Sequence, residues 1–201
     1  MKRIAMLAVT ALLAAPATMA AQQNPIEDAF ARVAEAGIPI SLLQSLQAEG
    51  EARGVTIGVL EDAMQRRADA LIRAKDAMNR AGVEASEAEL AAGADALGAG
   101  VSGAVLTALA ENTTGDQRVA ATAALGVLVD AGHVPADALE RVKAALERGP
   151  DALADLRGEA LDARARRGPP SSVFDRAPLG VPVTGAPEGR PTPPRRPGGS
   201  F

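Results

Sequence analysis

The sequence contains no cysteine, tryptophan or tyrosine, and only three phenylalanines and one histidine. Without cysteine there is no disulfide, no thiolate nucleophile and no thiolate metal ligand. A dedicated zinc site uses three or four His or Cys ligands, so zinc has little to bind. Aromatic rings stack on sugars, bases and flat cofactors. Phe30 is the only aromatic residue between 21 and 167, so a carbohydrate or flavin site is poorly provided for. The same stretch is acidic. Affinity for phosphates needs clustered Lys and Arg, so nucleic acid is disfavoured as a partner.

What is present begins with an export signature. Lys2 and Arg3 form a basic start, Ile4 to Ala15 carry an apolar run, and Thr18-Met19-Ala20 place small residues at a cleavage site. The run is shorter than the roughly 20 residues of a membrane span and is ended by Pro16. These features predict a signal peptide over 1–20, a mature chain without a transmembrane segment, and a periplasmic or secreted location. A disulfide-free exported chain is ordinary in a bacterial periplasm and unusual among small eukaryotic secreted domains.

Charge divides the remainder. The whole chain carries −4. From Arg164 onward seven Arg stand against two acids, giving +5, and residues 21–163 carry −11. Gly168 to Phe201 also holds nine of the fourteen Pro and six Gly. Such a segment cannot bury enough apolar surface to offset the entropy of ordering, so the sequence predicts a disordered tail over 168–201.

Residues 21–167 are dense in Ala, Leu, Glu and Arg, all strong helix formers. Six glycines, at 37, 54, 82, 100, 132 and 149, are spaced 17, 28, 18, 32 and 17 residues apart. Every second one therefore recurs after 45 to 50 residues. Each is followed by an apolar or turn residue and then by a helix starter. One device accounts for all six: Gly adopts the left-handed conformation that closes a helix, and Pro, Ser or Thr opens the next. The predicted fold is all-α, with tandem helical hairpins forming a compact bundle or a short α-solenoid. Helices are expected near 26–36, 41–49, 57–81, 87–98, 103–111, 116–131, 136–148 and 151–167. Ser86 and Glu89 have the spacing of a capping box. In the longest helix, Asp62, Asp69 and Asp76 each precede an Arg by four residues, and Ile57, Met64, Leu71 and Met78 form a seven-residue stripe. The expectation is an apolar seam against neighbouring helices, flanked by Asp–Arg pairs along one helix.

Residues 33 to 80 contain a Gly37-Ile-Pro-Ile-Ser turn, a short helix through Glu49-Gly50, and an Arg53-Gly54-Val55 turn. This pattern resembles that of uncharacterised exported bacterial α-helical repeat proteins. In those, Lys stands where Arg53 is and a second Pro where Thr56 is. The resemblance implies no activity.

Candidate chemistry is sparse. Gly98, Gly100 and Gly103 match the dinucleotide spacing GxGxxG, but the fingerprint requires a preceding strand and residues 88–97 read as helix. His133 sits in a turn, and Ser41, Ser45, Ser86 and Ser102 read as caps or helix surface, so no catalytic triad is assembled. The acidic pairs Glu87/Glu89, Glu61/Asp62, Asp151/Asp155 and Glu159/Asp162 read as a solvated face. Asn112-Thr113-Thr114 is a formal glycosylation sequon, read here as loop chemistry. The interaction candidates lie in the tail. Arg190, Pro191, Pro194, Arg195 and Arg196 fit a P-x-x-P-x-R ligand, and Phe201 supplies a terminal carboxylate.

The sequence therefore predicts an exported, non-enzymatic helical scaffold or protein-binding module with no cofactor and no metal. One alternative is an envelope-associated factor, tethered by its basic tail to anionic lipid or cell-wall polymer. Another is a hydrolase built on helix carboxylates.

Overall fold

The computed structural model describes residues 24–166. The leader over 1–20 and the tail over 168–201, including Arg190, Pro191, Pro194, Arg195, Arg196 and Phe201, lie outside the described residues. Eight helices account for the described residues: α1 (Pro25–Glu35), α2 (Ser41–Ala52), α3 (Ile57–Arg80), α4 (Glu87–Gly98), α5 (Gly103–Glu111), α6 (Gly115–Asp130), α7 (Pro135–Arg148) and α8 (Pro150–Ala165). Among these residues there is no strand, and the fold is all-α.

The glycines act as the spacing predicts. Gly37, Gly54, Gly82, Gly100, Gly132 and Gly149 all have positive φ, between 63° and 110°. At the first five, the amide one residue beyond the glycine donates five residues back, as in Ile38 N to Val33 O and Val101 N to Ala96 O. The glycine amide itself donates three residues back. These are Schellman closures, which satisfy carbonyls left unpaired at a helix end. At Gly149 the next residue is Pro150, which has no N–H, so that junction lacks the longer bond.

One boundary differs from expectation by more than two residues. The second helix runs on through the buried Gly50 to Ala52. Its end is set by Gly54, because Val55 N bonds to Gly50 O and so places Gly50 inside the last turn.

Helix starts carry their own chemistry. Asn24 accepts from Ile26 N at 3.1 Å before Pro25. Ser102 accepts from Val105 N at 3.3 Å. Pro135 and Pro150 open α7 and α8 at positions whose amide would have no helical partner.

Packing follows chain order. The principal helix contacts join only elements one or two apart: α3 meets α1, α2, α4 and α5, and α6 meets α4, α5, α7 and α8. The core accordingly runs along the chain. Val33, Leu43, Met64 and Leu71 form its first part, Met78, Leu97 and Leu106 its middle, and Leu109, Leu125, Val142 and Leu156 its last.

The α3 seam holds over Met64, Leu71 and Met78, which are fully buried. Ile57 departs from it at 64% exposed, because it is the first residue of α3. The start of α1 is bonded at Gln65, whose Nε2 donates to Pro25 O, and its end at Lys75, whose Nζ donates to Ala36 O. The first two turns of α3 therefore extend past the start of α1. The expectation of Asp–Arg pairs along α3 is corrected at Asp69, which is bonded by Arg32 of α1, and at Asp76, which forms no ion pair with Arg80.

The small residues of α4 and α6 permit close approach. A Cβ on Gly126 would lie 3.1 Å from Ala96 Cα, and one on Gly93 would lie 3.0 Å from Ala74 Cβ. Helix α4 is thus pressed between α3 and α6 with almost no side chain intervening.

Candidate functional site

Two places concentrate polar chemistry. The first is a buried node at the start of α4. Ser86 precedes α4 in extended conformation and its Oγ accepts from Glu89 N at 3.3 Å. Glu89 Oε2 in turn accepts from Ser86 N at 2.7 Å. This is the capping box expected from the spacing. The second carboxylate oxygen does more. Glu89 Oε1 accepts from Arg118 Nη1 at 2.6 Å, across from α6. Arg118 Nη2 donates to Thr113 O at 2.6 Å, at the end of α5. Thr113 Oγ1 donates to Leu109 O at 2.8 Å. Glu89 is 4% and Arg118 8% exposed, so the pair is shielded from solvent. Burial pushes the Glu89 carboxyl up, but the Ser86 amide and hydroxyl and the Arg118 guanidinium outweigh it and hold the group below the usual carboxylate range.

The reading of the helix carboxylates as a solvated face is therefore corrected for Glu89. Its local partner was found through the Ser86 spacing, and its remote partner was missed. A signal existed. Arg118 is followed by Ala121, Thr122 and Leu125, at three, four and seven residues, all buried. That spacing puts a charge on the apolar face of α6, where it requires a partner.

The second place is a groove of about 320 Å³ between α7 and α8. Arg141, Ala144 and Arg148 line it from α7, and Asp155, Leu156 and Glu159 from α8. Arg141 spans it to Glu159 at 3.8 Å. On the other side Arg141 Nη1 donates to His133 Nε2 at 3.2 Å. Arg148 Nε donates to Ala144 O at 3.2 Å, satisfying a late carbonyl of α7. Asp155 and Glu159 sit four residues apart on one helix, so they share a wall of the groove. Acid–base chemistry across a bond calls for two carboxyl groups flanking the substrate.

The other sequence candidates fall into structural positions. Gly98 closes α4, Gly100 has φ of 106° in the turn, and Gly103 opens α5. A helix therefore stands where the dinucleotide fingerprint needs a strand. Ser41 Oγ donates to Glu87 Oε1 at 2.5 Å, joining α2 to α4. Ser45 Oγ donates to Ser41 O at 3.0 Å. In the Asn112-Thr113-Thr114 loop, Asn112 Nδ2 donates to Ala108 O at 2.8 Å. Among the described residues, no group of three or more His, Asp or Glu is placed to hold a metal ion. None of the helices formed by these residues is long and apolar enough to cross a membrane.

With this geometry in place, the chain was compared with known proteins. No family model, curated protein or solved structure matches it.

Proposed function

We propose that the chain is an exported, non-enzymatic helical scaffold that binds another protein, and that its helices act as structural repeats. The observation carrying this reading is the packing order. Helices whose principal contacts join elements one or two apart in the chain are suited to build a stack. A stack offers long lateral surfaces, the arrangement by which solenoid proteins bind partners. The α7–α8 groove supports the same reading. Its mixed Arg and carboxylate walls suit the charged side chains of a protein surface better than an apolar small molecule. The segment from Arg164 onward, at +5 against the −11 of residues 21–163, supports a second reading of attachment to an anionic envelope surface.

The test immobilises the protein beginning at Ala21, in its original form and as Arg141→Glu/Arg148→Glu, and exposes both to a periplasmic extract. Capture of one protein, lost in the charge-reversed form at unchanged circular dichroism, is the expected outcome. Equal capture by both forms removes the groove from the proposal, and no saturable capture removes the binding role. Deleting residues 168–201 and sedimenting with envelopes tests the second reading, which requires that association be lost.

A further inference from the structure

Glu89 serves two structural levels at once. One oxygen of its carboxylate closes the N-terminus of α4 through Ser86 N, and the other receives Arg118 of α6. The same guanidinium reaches Thr113 O at the α5 end. A local cap and a cross-helix ion pair are normally independent. Here they share one carboxylate in a buried position, with the cap on one oxygen and the ion pair on the other.

We propose that Glu89 and Arg118 form an acid-sensitive latch that couples closure of the α4 N-terminus to docking of the α5–α6 corner, so that the two regions open together. With the latch shut, the carboxylate has a partner on each oxygen and the guanidinium has an acceptor on each Nη. Protonating Glu89 removes the charge and puts a hydrogen on an oxygen that already faces a donor, Ser86 N on one side or Arg118 Nη1 on the other. Arg118 is then left buried and charged beside a neutral acid. A buried charge that loses its partner is strongly destabilising, and the relief available is for α6 to lift away from α4 and let water reach the guanidinium.

The surrounding charges leave this pair to itself. Helix α4 packs against α3 and α6. From α3, Arg67 pairs with Asp95, further along α4. From α2, Ser41 bonds Glu87, on the exposed side of α4. From α6, Arg118 is bonded to Glu89. The carboxyl is held low in the closed form, so the latch is shut above the ordinary carboxylate range. It releases as pH falls through the depressed value.

Amide hydrogen exchange on the full chain provides the test. Leu90 N–H, bonded to Ser86 O, reports on α4, and Arg118 N–H, bonded to Thr114 O, reports on α6. Ser86→Ala alters only the α4 cap. It is expected to speed exchange at both Leu90 and Arg118, by roughly tenfold. In Glu89→Gln the acid-induced opening of the parent protein is expected to disappear, with exchange already fast at neutral pH. Glu89→Met/Arg118→Met provides a folded reference if the glutamine variant does not fold: its two regions are expected to keep protection factors, relative to the unfolded chain, that no longer fall on acidification. The proposal is overturned if Ser86→Ala loosens α4 alone. An acid transition that keeps its midpoint in the double variant overturns it too.

Discussion

The interface of α3 with α1 and the interface of α4 with α6 are built on opposite plans. Along α3, bulky aliphatic side chains repeat every seven residues and fill the space between helices. Between α4 and α6, glycine and alanine bring the backbones together at Gly126 and Ala96, and a buried ion pair joins the two helices. The first plan tolerates changes that keep volume and apolarity. The second tolerates almost none, because there is no flexible side chain to take up an added atom and no solvent to screen an orphaned charge. The contrast shows that helix pairs within one all-α fold can be held by shape in one place and by charge and proximity in another.

Breaking the charge-dependent interface has the largest expected effect. Arg118→Ala strands Glu89 in the interior and is expected to cost about 3–5 kcal/mol in urea unfolding. Glu89→Met/Arg118→Met, which removes both charges, is expected to recover most of that loss. A recovery of nothing would mean that Arg118 matters through its bond to Thr113 O rather than through the pair. Next comes the aliphatic interface. Leu71→Ala is expected to cost about 2–5 kcal/mol, with Leu71→Met near neutral, as volume-based packing requires. A comparable loss in both would show that the seam depends on shape as strictly as α4–α6 does. Third is Gly126→Ala. The added Cβ meets the Ala96 backbone, so the gain in helix propensity is overridden and a loss of about 1–3 kcal/mol is expected. The control is Gly158→Ala in α8, where a Cβ meets nothing within 4 Å; there the exchange is expected to stabilise by up to about 1 kcal/mol. The smallest effect belongs to Asp69→Asn. Its ion pair with Arg32 is largely exposed, and a change within about 1 kcal/mol, vanishing at high salt, is expected.

How far the sequence discloses these features follows from the range of the forces involved. Helix ends were legible because the closing glycine, the residue after it and the next cap lie within a few positions of one another. Gly37, Gly82 and Gly132 could be read without any knowledge of tertiary contacts, and all three have positive φ. The seam over Met64, Leu71 and Met78 was legible because a helix converts spacing directly into a face. Its first member, Ile57, was misjudged because periodicity does not say how far the neighbouring helix extends. The cap at Ser86 was visible and the ion pair was not, since 29 residues separate Glu89 from Arg118. Asp69 bonded to α1 rather than to its own helix for the same reason: two partners of equal chemistry competed, and only the fold decides which is nearer. The groove between α7 and α8 had no sequence signature. It arises from two short side chains, Ala144 and Ala152, that leave space where larger residues would fill it. The tail candidates Arg190, Pro191, Pro194, Arg195, Arg196 and Phe201 lie outside the described residues and contribute nothing to this comparison.

The restriction of contacts to near neighbours along the chain has a mechanical consequence. Among the described helices, α3, α4 and α6 are held by elements on both sides in the chain, whereas α1 and α2 find their principal contact in α3 alone. Cooperativity is therefore expected to decay away from α3, α4 and α6, with α1 and α2 peeling first under load or at elevated temperature. Trimming a terminal helix would then shorten the fold without dissolving it.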